Sequence, residues 1–243
     1  MPFFHQCEFI KIRLVSDRYL IFRKCSVLIF KASLMTEFWE SSFIEKQLMW
    51  GAEPSDSAIQ AKDFFIANNV HDILLPGFGY GRNAKIFHDN GIHVTGIEIS
   101  QTAIDLAKAQ GAGEMIVYHG SVSDMPFDNK LYDGIFCFAL IHLLSSRERK
   151  KFIKDCYDQL KPGGYMIFVT ISKKAPMYGK GKQLSKERFE TAHGVRLFFY
   201  DVDSIQQEFG KYGLMQFSEI AEPNKQVANG ASLPFLVITC KKG

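Results

Sequence analysis

The sequence predicts an α/β protein: a three-layer, doubly wound sheet of seven mostly parallel strands, with the last strand antiparallel. Three observations carry that expectation. From residue 53 onward, short apolar runs alternate with stretches of helical length, the order that builds a parallel sheet between two helical layers. The runs are apolar at nearly every residue rather than every second one, so both faces of the sheet are to be buried. The final two runs have no helix between them, so their pairing is expected to be antiparallel.

Ser55, Asp56 and Ser57 offer capping side chains for a helix reaching about Asn68. His71 to Leu75 is the first strand, and a glycine-rich turn leads from it into a helix from Arg82 to about Asp89. Ile92 to Ile97 is the second strand, ended by Glu98, and Gln101 to Gln110 the next helix. Met115 to Tyr118 and Tyr132 to Phe138 are the third and fourth strands. Ser146 to Leu160 reads as a helix, closed by Lys161-Pro162-Gly163-Gly164, and Tyr165 to Ile171 as the fifth strand. Residues 173–199 are left without regular structure. A helix over Asp201 to Tyr212 precedes the closing pair, Leu214 to Ala221 and Leu233 to Cys240.

At 243 residues and 47% hydrophobic content, disorder is excluded and no disulfide or metal staple is needed. No run approaches the roughly 18 continuous apolar residues of a membrane span. The net charge of +3 is unevenly placed. Residues 1–34 hold six basic and two acidic residues, and residues 35–243 hold 23 and 24, a body at −1. A near-neutral body offers no electrostatic footprint for nucleic acid, so no nucleic-acid partner is expected. Five scattered cysteines with no CxxC pair argue against zinc and against a disulfide framework, and fit a reducing cytoplasm. No metal site is expected.

Residues 1–34 mix apolar and basic side chains without a period and lack the continuous core of a secretory signal. They read as an extension dispensable for function; the competing reading is a strand or helix added to the body. Residues 35–52 contain Phe38, Trp39, Phe43, Met49 and Trp50, a candidate lid in which an indole face such as that of Trp50 covers a bound cation; the competing reading is a helix packed on the edge of the sheet. Residues 53–243 form one domain.

The strongest local motif is Leu74-Leu75-Pro76-Gly77-Phe78-Gly79-Tyr80-Gly81-Arg82-Asn83. Glycines between a strand and a helix let the backbone turn tightly and let a ligand lie against it. A dinucleotide fingerprint wants its third glycine where Arg82 stands. Glu98 ends the second strand, and a carboxylate there is acceptor-only, suited to ribose hydroxyls. Three further segments follow in order: Gly120-Ser121-Val122-Ser123-Asp124-Met125-Pro126-Phe127, Leu140-Ile141-His142-Leu143 and Lys161-Pro162-Gly163-Gly164.

Together these five motifs resemble a class I S-adenosylmethionine-dependent methyltransferase, over about 190 residues from 53 onward. The resemblance implies S-adenosyl-L-methionine as cofactor. By position, Gly77, Phe78, Gly79 and Gly81 would cradle its methionine moiety and Glu98 its ribose. Ile99 would pack on the adenine, with Ser121 and Val122 at its edge, and Ala139 would line the methionine side near the sulfonium. Two departures matter. Leu75 and Pro76 replace the acidic start common in the family, a Pro-Gly opening similar to the thiol, thiopurine and halide branch. Ser121 replaces the usual Asp at the adenine edge, which weakens that contact or passes it to Asp124.

Methyl transfer from a sulfonium is an in-line displacement, and the protein's contribution is positioning and exclusion of water. His142 is the candidate base, the competing reading being a helix-start histidine hydrogen-bonded to backbone; Tyr200, with Arg196 and His193 in the stretch that family members use to cover the substrate, is the second catalytic candidate, against an ordinary surface or packing role. The runs that mark enzymes methylating adenine or glutamine amino groups, and the Pro-Cys of cytosine-C5 enzymes, are missing. A small-molecule acceptor is therefore expected. An NAD-dependent oxidoreductase and a non-catalytic S-adenosylmethionine-binding module are the alternatives.

Overall fold

The structure, a computed structural model, describes residues 36–223 and 232–243. The expectation for residues 1–34 lies outside the described residues. The chain divides into two units, Met1–Trp39 and Glu40–Gly243. Of the first, residues 36–39 are described; they are helical, with Phe38 and Trp39 edge to face at 5.2 Å.

The second unit opens with α1 (residues 40–46), followed by α2 (Asp56–Ala67) and β1 (Asp72–Pro76). Then come α3 (Arg82–His88), β2 (His93–Glu98), α4 (Gln101–Ala107), β3 (Ile116–His119) and β4 (Tyr132–Phe138). α5 (Ser146–Asp158) and β5 (Leu160–Ile171) precede three short strands, β6 (Lys182–Ser185), β7 (Arg188–Glu190) and β8 (Arg196–Phe198). α6 (Val202–Phe209), β9 (Leu214–Glu222) and β10 (Leu233–Lys241) complete it.

Capping fixes where the helices start. The Ser55 hydroxyl accepts the Ala58 N–H at 3.2 Å, and the Glu222 carboxylate accepts the Asp56 and Ser57 N–H groups. Three orphan donors at the start of α2 are thus satisfied. α5 opens on a capping box between Ser145 and Glu148. Strand residues alternate between two cores. Ile73, Leu75, Phe136 and Val169 pack beneath Ala58, Phe65 and Phe87 of α2 and α3. Leu74, Ile135, Cys137 and Phe168 pack against Phe152, Ile153, Ile205 and Phe209 of α5 and α6. This is the expected three-layer arrangement, with the central strands β1, β2, β4 and β5 buried on both faces and the edge strands β3 and β9 partly exposed.

The seven strands run in the order β3-β2-β1-β4-β5-β10-β9. β1 to β5 are parallel, and β10 is antiparallel to both β5 and β9, the one reversed strand. The order turns back between β1 and β4, and the crevice outside their carboxyl ends is where ligands bind in open α/β sheets.

Three expectations are corrected. The helix expected to reach Gln110 stops as an α-helix at Ala107 and passes into a wider turn, where Gly111 takes φ 91°. β5 starts at Leu160 rather than Tyr165, with the Lys-Pro-Gly-Gly run inside it. Pairing there shifts from Tyr132 opposite Leu160 to Gly134 opposite Tyr165, and Gly163 at φ 78° absorbs the bulge. Residues 173–199 are not irregular: β6, β7 and β8 form an antiparallel sheet of their own. Its strands have three or four residues and β6 is exposed throughout, too short and too polar for a strand signal.

Candidate active site

The site is built at the carboxyl ends of β1, β2, β3 and β4. After β1, Gly77, Gly79 and Gly81 all take positive φ, 74°, 58° and 80°, the left-handed region where a Cβ is costly. The Gly77 and Phe78 N–H groups both reach the Ile97 carbonyl, at 2.9 and 3.0 Å, which ties the turn to β2. Above Gly79 an added Cβ would meet nothing within 4 Å, so the turn presents open backbone there. At Gly77 it would press on Leu140, the point where the loops after β1 and β4 meet. Phe78 contributes backbone only. Its ring is buried against Gly96, where a methyl group would collide with it.

Glu98 is 6% exposed. Its Oε2 accepts the Gly79 N–H at 2.7 Å, and its Oε1 accepts the Ile99 and Ser100 N–H groups, each at 2.9 Å. Burial raises its pKa against the pull of those three donors. A carboxylate has about four acceptor sites; three are filled, and the spare one is on Oε2, beside the open Gly79.

The next two strand ends supply small contacts. Ile99 is half-buried, and its carbonyl lies 3.1 Å from His119 Nε2. The Ser121 hydroxyl accepts the Ser123 N–H, capping a single turn over Val122–Asp124, and Val122 is buried beside it. After β4, Ala139 takes φ 53° and donates its N–H to Val169. A non-glycine residue held left-handed at a strand end costs about 1–3 kcal/mol, strain of a kind that clusters at functional sites.

Residues 40–55 pack over the glycine turn. Glu40 accepts from the Ser100 hydroxyl at 2.6 Å and from the Thr102 hydroxyl at 2.5 Å. Burial works against its ionised form, but these bonds outweigh it and hold the pKa low. Trp50, 50% exposed, stacks on Tyr80 at 6.2 Å, with Phe43 buried beside both rings. The Tyr80 hydroxyl donates to Gly51 and accepts the Trp50 N–H, and Asn83 accepts the Ser55 N–H. Arg82 donates to the Trp50 carbonyl at 2.8 Å, with its guanidinium 5.6 Å from the Phe138 ring. Sequence reasoning missed the Glu40 and Tyr80 fastenings and saw Arg82 only as an obstruction. Their partners lie 29 to 62 residues away, and no local pattern marks them.

Neither catalytic candidate has the expected role. His142 is buried, and its Nδ1 accepts the Ile171 N–H at 3.3 Å, so the ring proton sits on Nε2. Burial lowers its pKa to about 3. A neutral imidazole that already carries its proton on the only free nitrogen is no general base. Tyr200 is fully buried with its hydroxyl 2.7 Å from Glu208, which is in turn paired with Arg149. It belongs to the packing between α5, β8 and α6.

The His142 environment has a consequence for stability. In the unfolded chain the ring binds a proton near pH 6.5, whereas the native ring does not until about pH 3. The unfolded state therefore holds the extra proton between those values. Stability is expected to fall as pH drops below about 6.5, at up to about 1.4 kcal/mol per pH unit from this group. Urea unfolding between about pH 7.5 and pH 5 measures it, and His142→Asn, which keeps an acceptor for the Ile171 N–H, should flatten the slope.

The arrangement fits S-adenosylmethionine on its own terms: open backbone at Gly79, a spare carboxylate acceptor beside it, and a guanidinium at the β4 end. Residues 74–168 match the methyltransferase domain family. The tRNA N(3)-cytidine methyltransferase METTL2 of Danio rerio is 26% identical over 227 residues, covering 82% of this chain and 64% of that protein. A ubiquinone biosynthesis O-methyltransferase of Coxiella burnetii is 28% identical over 109 residues, 44% of this chain and 46% of the relative. The chain thus spans less than two thirds of the length of these curated relatives. Among solved structures, the 1,6-didemethyltoxoflavin-N1-methyltransferase of Burkholderia thailandensis, with its substrate and S-adenosylhomocysteine bound, superposes with a TM-score of 0.66. Identity is 15%, with 96% of this chain and 93% of that one covered, which speaks for the fold.

Proposed function

Starting from a chain whose residues 74–168 match a methyltransferase domain family, we propose that it is a class I S-adenosylmethionine-dependent enzyme that transfers the methyl group to a small-molecule acceptor by in-line displacement. The observation that carries this reading is the convergence of the Gly77–Gly81 turn, Glu98, Val122 and Ala139 on adjoining strand ends at the point where strand order reverses. When bound, S-adenosylmethionine supplies an electrophilic methyl group on a positively charged sulfur.

In this reading the chain's own residues bind, orient and exclude water. Glu98 Oε2 takes a ribose hydroxyl, Ile99 and Val122 give the adenine apolar contact, and the Ser121 backbone lies at its edge. The glycine turn and Ala139 flank the methionine portion, and the Trp50–Tyr80 stack closes the solvent side. The acceptor enters beside β4, where Arg188 of β7 donates to the Leu143 carbonyl and brings the small sheet to the turn after β4. With His142 neutral and Tyr200 buried, no side chain named here takes a proton. Acceptors that arrive as thiolates, or as neutral ring nitrogens, suit such a site. Among the described residues, Cys137, Cys156 and Cys240 are free and buried, with thiol pKa values raised by burial. Among the described residues no helix is long and apolar enough to cross a membrane.

A second reading, an RNA acceptor, has two supports. One is the likeness to a tRNA-modifying relative; the other is the stretch 173–200, which holds seven Lys and Arg against two Glu, a local +5. Calorimetric titration with S-adenosylmethionine, S-adenosylhomocysteine and NAD tests the site first. Micromolar binding of the first two and none of NAD is expected. Label transfer from S-adenosylmethionine to thiols, heteroaromatic amines, phenols and bulk tRNA then separates the readings. Transfer to tRNA alone overturns the small-molecule acceptor, and no transfer to any class, despite binding, favours a non-catalytic module.

A further inference from the structure

Arg188 of β7 is half-buried, and among the described residues no carboxylate stands within ion-pair distance of it. One terminal nitrogen donates to the Leu143 carbonyl at 3.3 Å. Its Nε is buried with no partner, and among the described residues the second terminal nitrogen has none either. The neighbouring acids are committed elsewhere. Glu148, whose charge it senses, accepts the Ser145 N–H in the capping box of α5. Glu190 holds Arg196, Glu208 holds Arg149, and Glu187 holds Lys173 and Tyr178. Burial works against the charge on Arg188, and so do the cations Arg149 and Arg196. A guanidinium withdrawn from water with donors unused is costly unless an anion completes it. Its planar fork fits a carboxylate two bonds at a time.

We propose that Arg188 selects an anionic acceptor, holding a carboxylate carried by the small molecule that receives the methyl group. The assignment rests on the small-molecule reading above and names its substrate class. Position favours the acceptor over the cofactor. Arg188 is bonded to the turn that follows Ala139 at the end of β4, not to the glycine turn after β1. The next residue, Phe189, packs with Tyr178 and Phe199 in the core that also takes Phe138 and Ala139, so the small sheet covers the β4 end. Arg149, the guanidinium nearest in charge, is saturated by Glu208 and leaves Arg188 to meet a ligand. Lys180, Lys182 and Lys186 of the same stretch are exposed, where water already solvates the charge. A half-buried fork suits a carboxylate that leaves water together with the reacting atom.

The test measures methyl transfer to matched pairs of acceptors. 4-Mercaptobenzoate and its methyl ester share a thiol and a ring and differ in the carboxylate; nicotinate and nicotinamide do the same for a ring nitrogen. In each pair the lone pair on sulfur or nitrogen forms the new bond to the methyl carbon. The sulfonium bond breaks, and its electrons stay with S-adenosylhomocysteine. The wild type is expected to favour the acid by about 30-fold or more in kcat/KM, the size of a truncated charge pair. Arg188→Ala should abolish that preference, mostly through KM, and leave the neutral partner and S-adenosylhomocysteine affinity within about threefold. Arg188→Lys, which keeps charge without the fork, should recover part of the loss. Equal transfer to acid and neutral partner by the wild type overturns the proposal and leaves the small-molecule reading standing. An equal loss on both partners in Arg188→Ala also overturns it, because the residue then shapes the turn after β4. Transfer to tRNA alone, or to none of these acceptors, overturns the small-molecule reading and this assignment with it.

Discussion

Glu98→Ala is expected to weaken S-adenosylhomocysteine binding by about 100-fold or more, the equivalent of roughly 3 kcal/mol. Two losses combine. The spare acceptor on Oε2 disappears, and the Gly79, Ile99 and Ser100 N–H groups lose the carboxylate that holds the glycine turn against β2. Glu98→Gln separates them. Its amide keeps one oxygen and turns an NH2 group toward either the Gly79 N–H or the Ile99 and Ser100 pair. A donor then faces a donor, and affinity should still fall about tenfold. The buried carboxylate also sets a pH dependence. Burial raises its pKa, and in the proposed contact the ionised form is the stronger acceptor for a ribose hydroxyl, while protonation turns one oxygen into a donor. Binding should therefore weaken on acidification sooner than an ordinary glutamate would allow. Calorimetry at neutral and acid pH reads both effects, and a Glu98→Ala protein that binds normally would remove the carboxylate from the site.

The second large effect is on stability. Arg149 of α5 meets Glu208 of α6 through Nε at 3.1 Å and a second guanidinium nitrogen at 2.8 Å, with the two side chains 3% and 6% exposed. The guanidinium lies 3.6 Å from the centre of the Phe198 ring, and the Tyr200 hydroxyl completes the carboxylate. Glu208→Ala strands a buried cation and should cost about 3–5 kcal/mol, which for a chain of this size lowers Tm by about 10 °C. Replacing the whole group, with Arg149→Met, Glu208→Leu and Tyr200→Phe together, is expected to recover most of that loss, since apolar side chains of similar volume remove the unpaired charge. Thermal unfolding of the two proteins decides it. Equal destabilisation in both would mean that the ion pair contributes by shape alone.

These two cases show what a one-dimensional reading reaches. Glu98 was legible because its neighbours in sequence are its neighbours in space: an apolar run ends, an acid follows, and a glycine turn stands one βα unit upstream. The seven strands and the reversed closing strand were legible for the same reason, since each rests on local runs and the helices between them. Arg149 and Glu208 were not, because 59 residues separate two charges that look solvent-facing on their own helices. His142 and Tyr200 show the converse error. Both stand where reactive groups are expected by position, but a position does not report which way a side chain turns. One ring was claimed by the Ile171 N–H and the other by Glu208. The small sheet of β6 to β8 escaped because its cohesion comes from Tyr178, Phe189 and Phe199 packing across it, not from a strand-length apolar run.

The place of β10 bears on how the molecule comes into being. It is the last of the seven strands to leave the ribosome, yet it lies between β5 and β9 and, among the described residues, is the sole sheet neighbour of β9. Until it arrives, the exposed edge of β5 and the whole of β9 have unpaired backbone, a surface open to other chains. Its pairing with β5 spans contacts from Phe235–Ile171 to Lys241–Tyr165, separations that loop closure makes slow. Synthesis therefore delivers β1 to β5 with the β5 edge bare, and the final segment covers that edge and brings β9 in beyond it. A nascent chain stalled short of Leu233 should be a chaperone client and a protease target rather than a weaker enzyme.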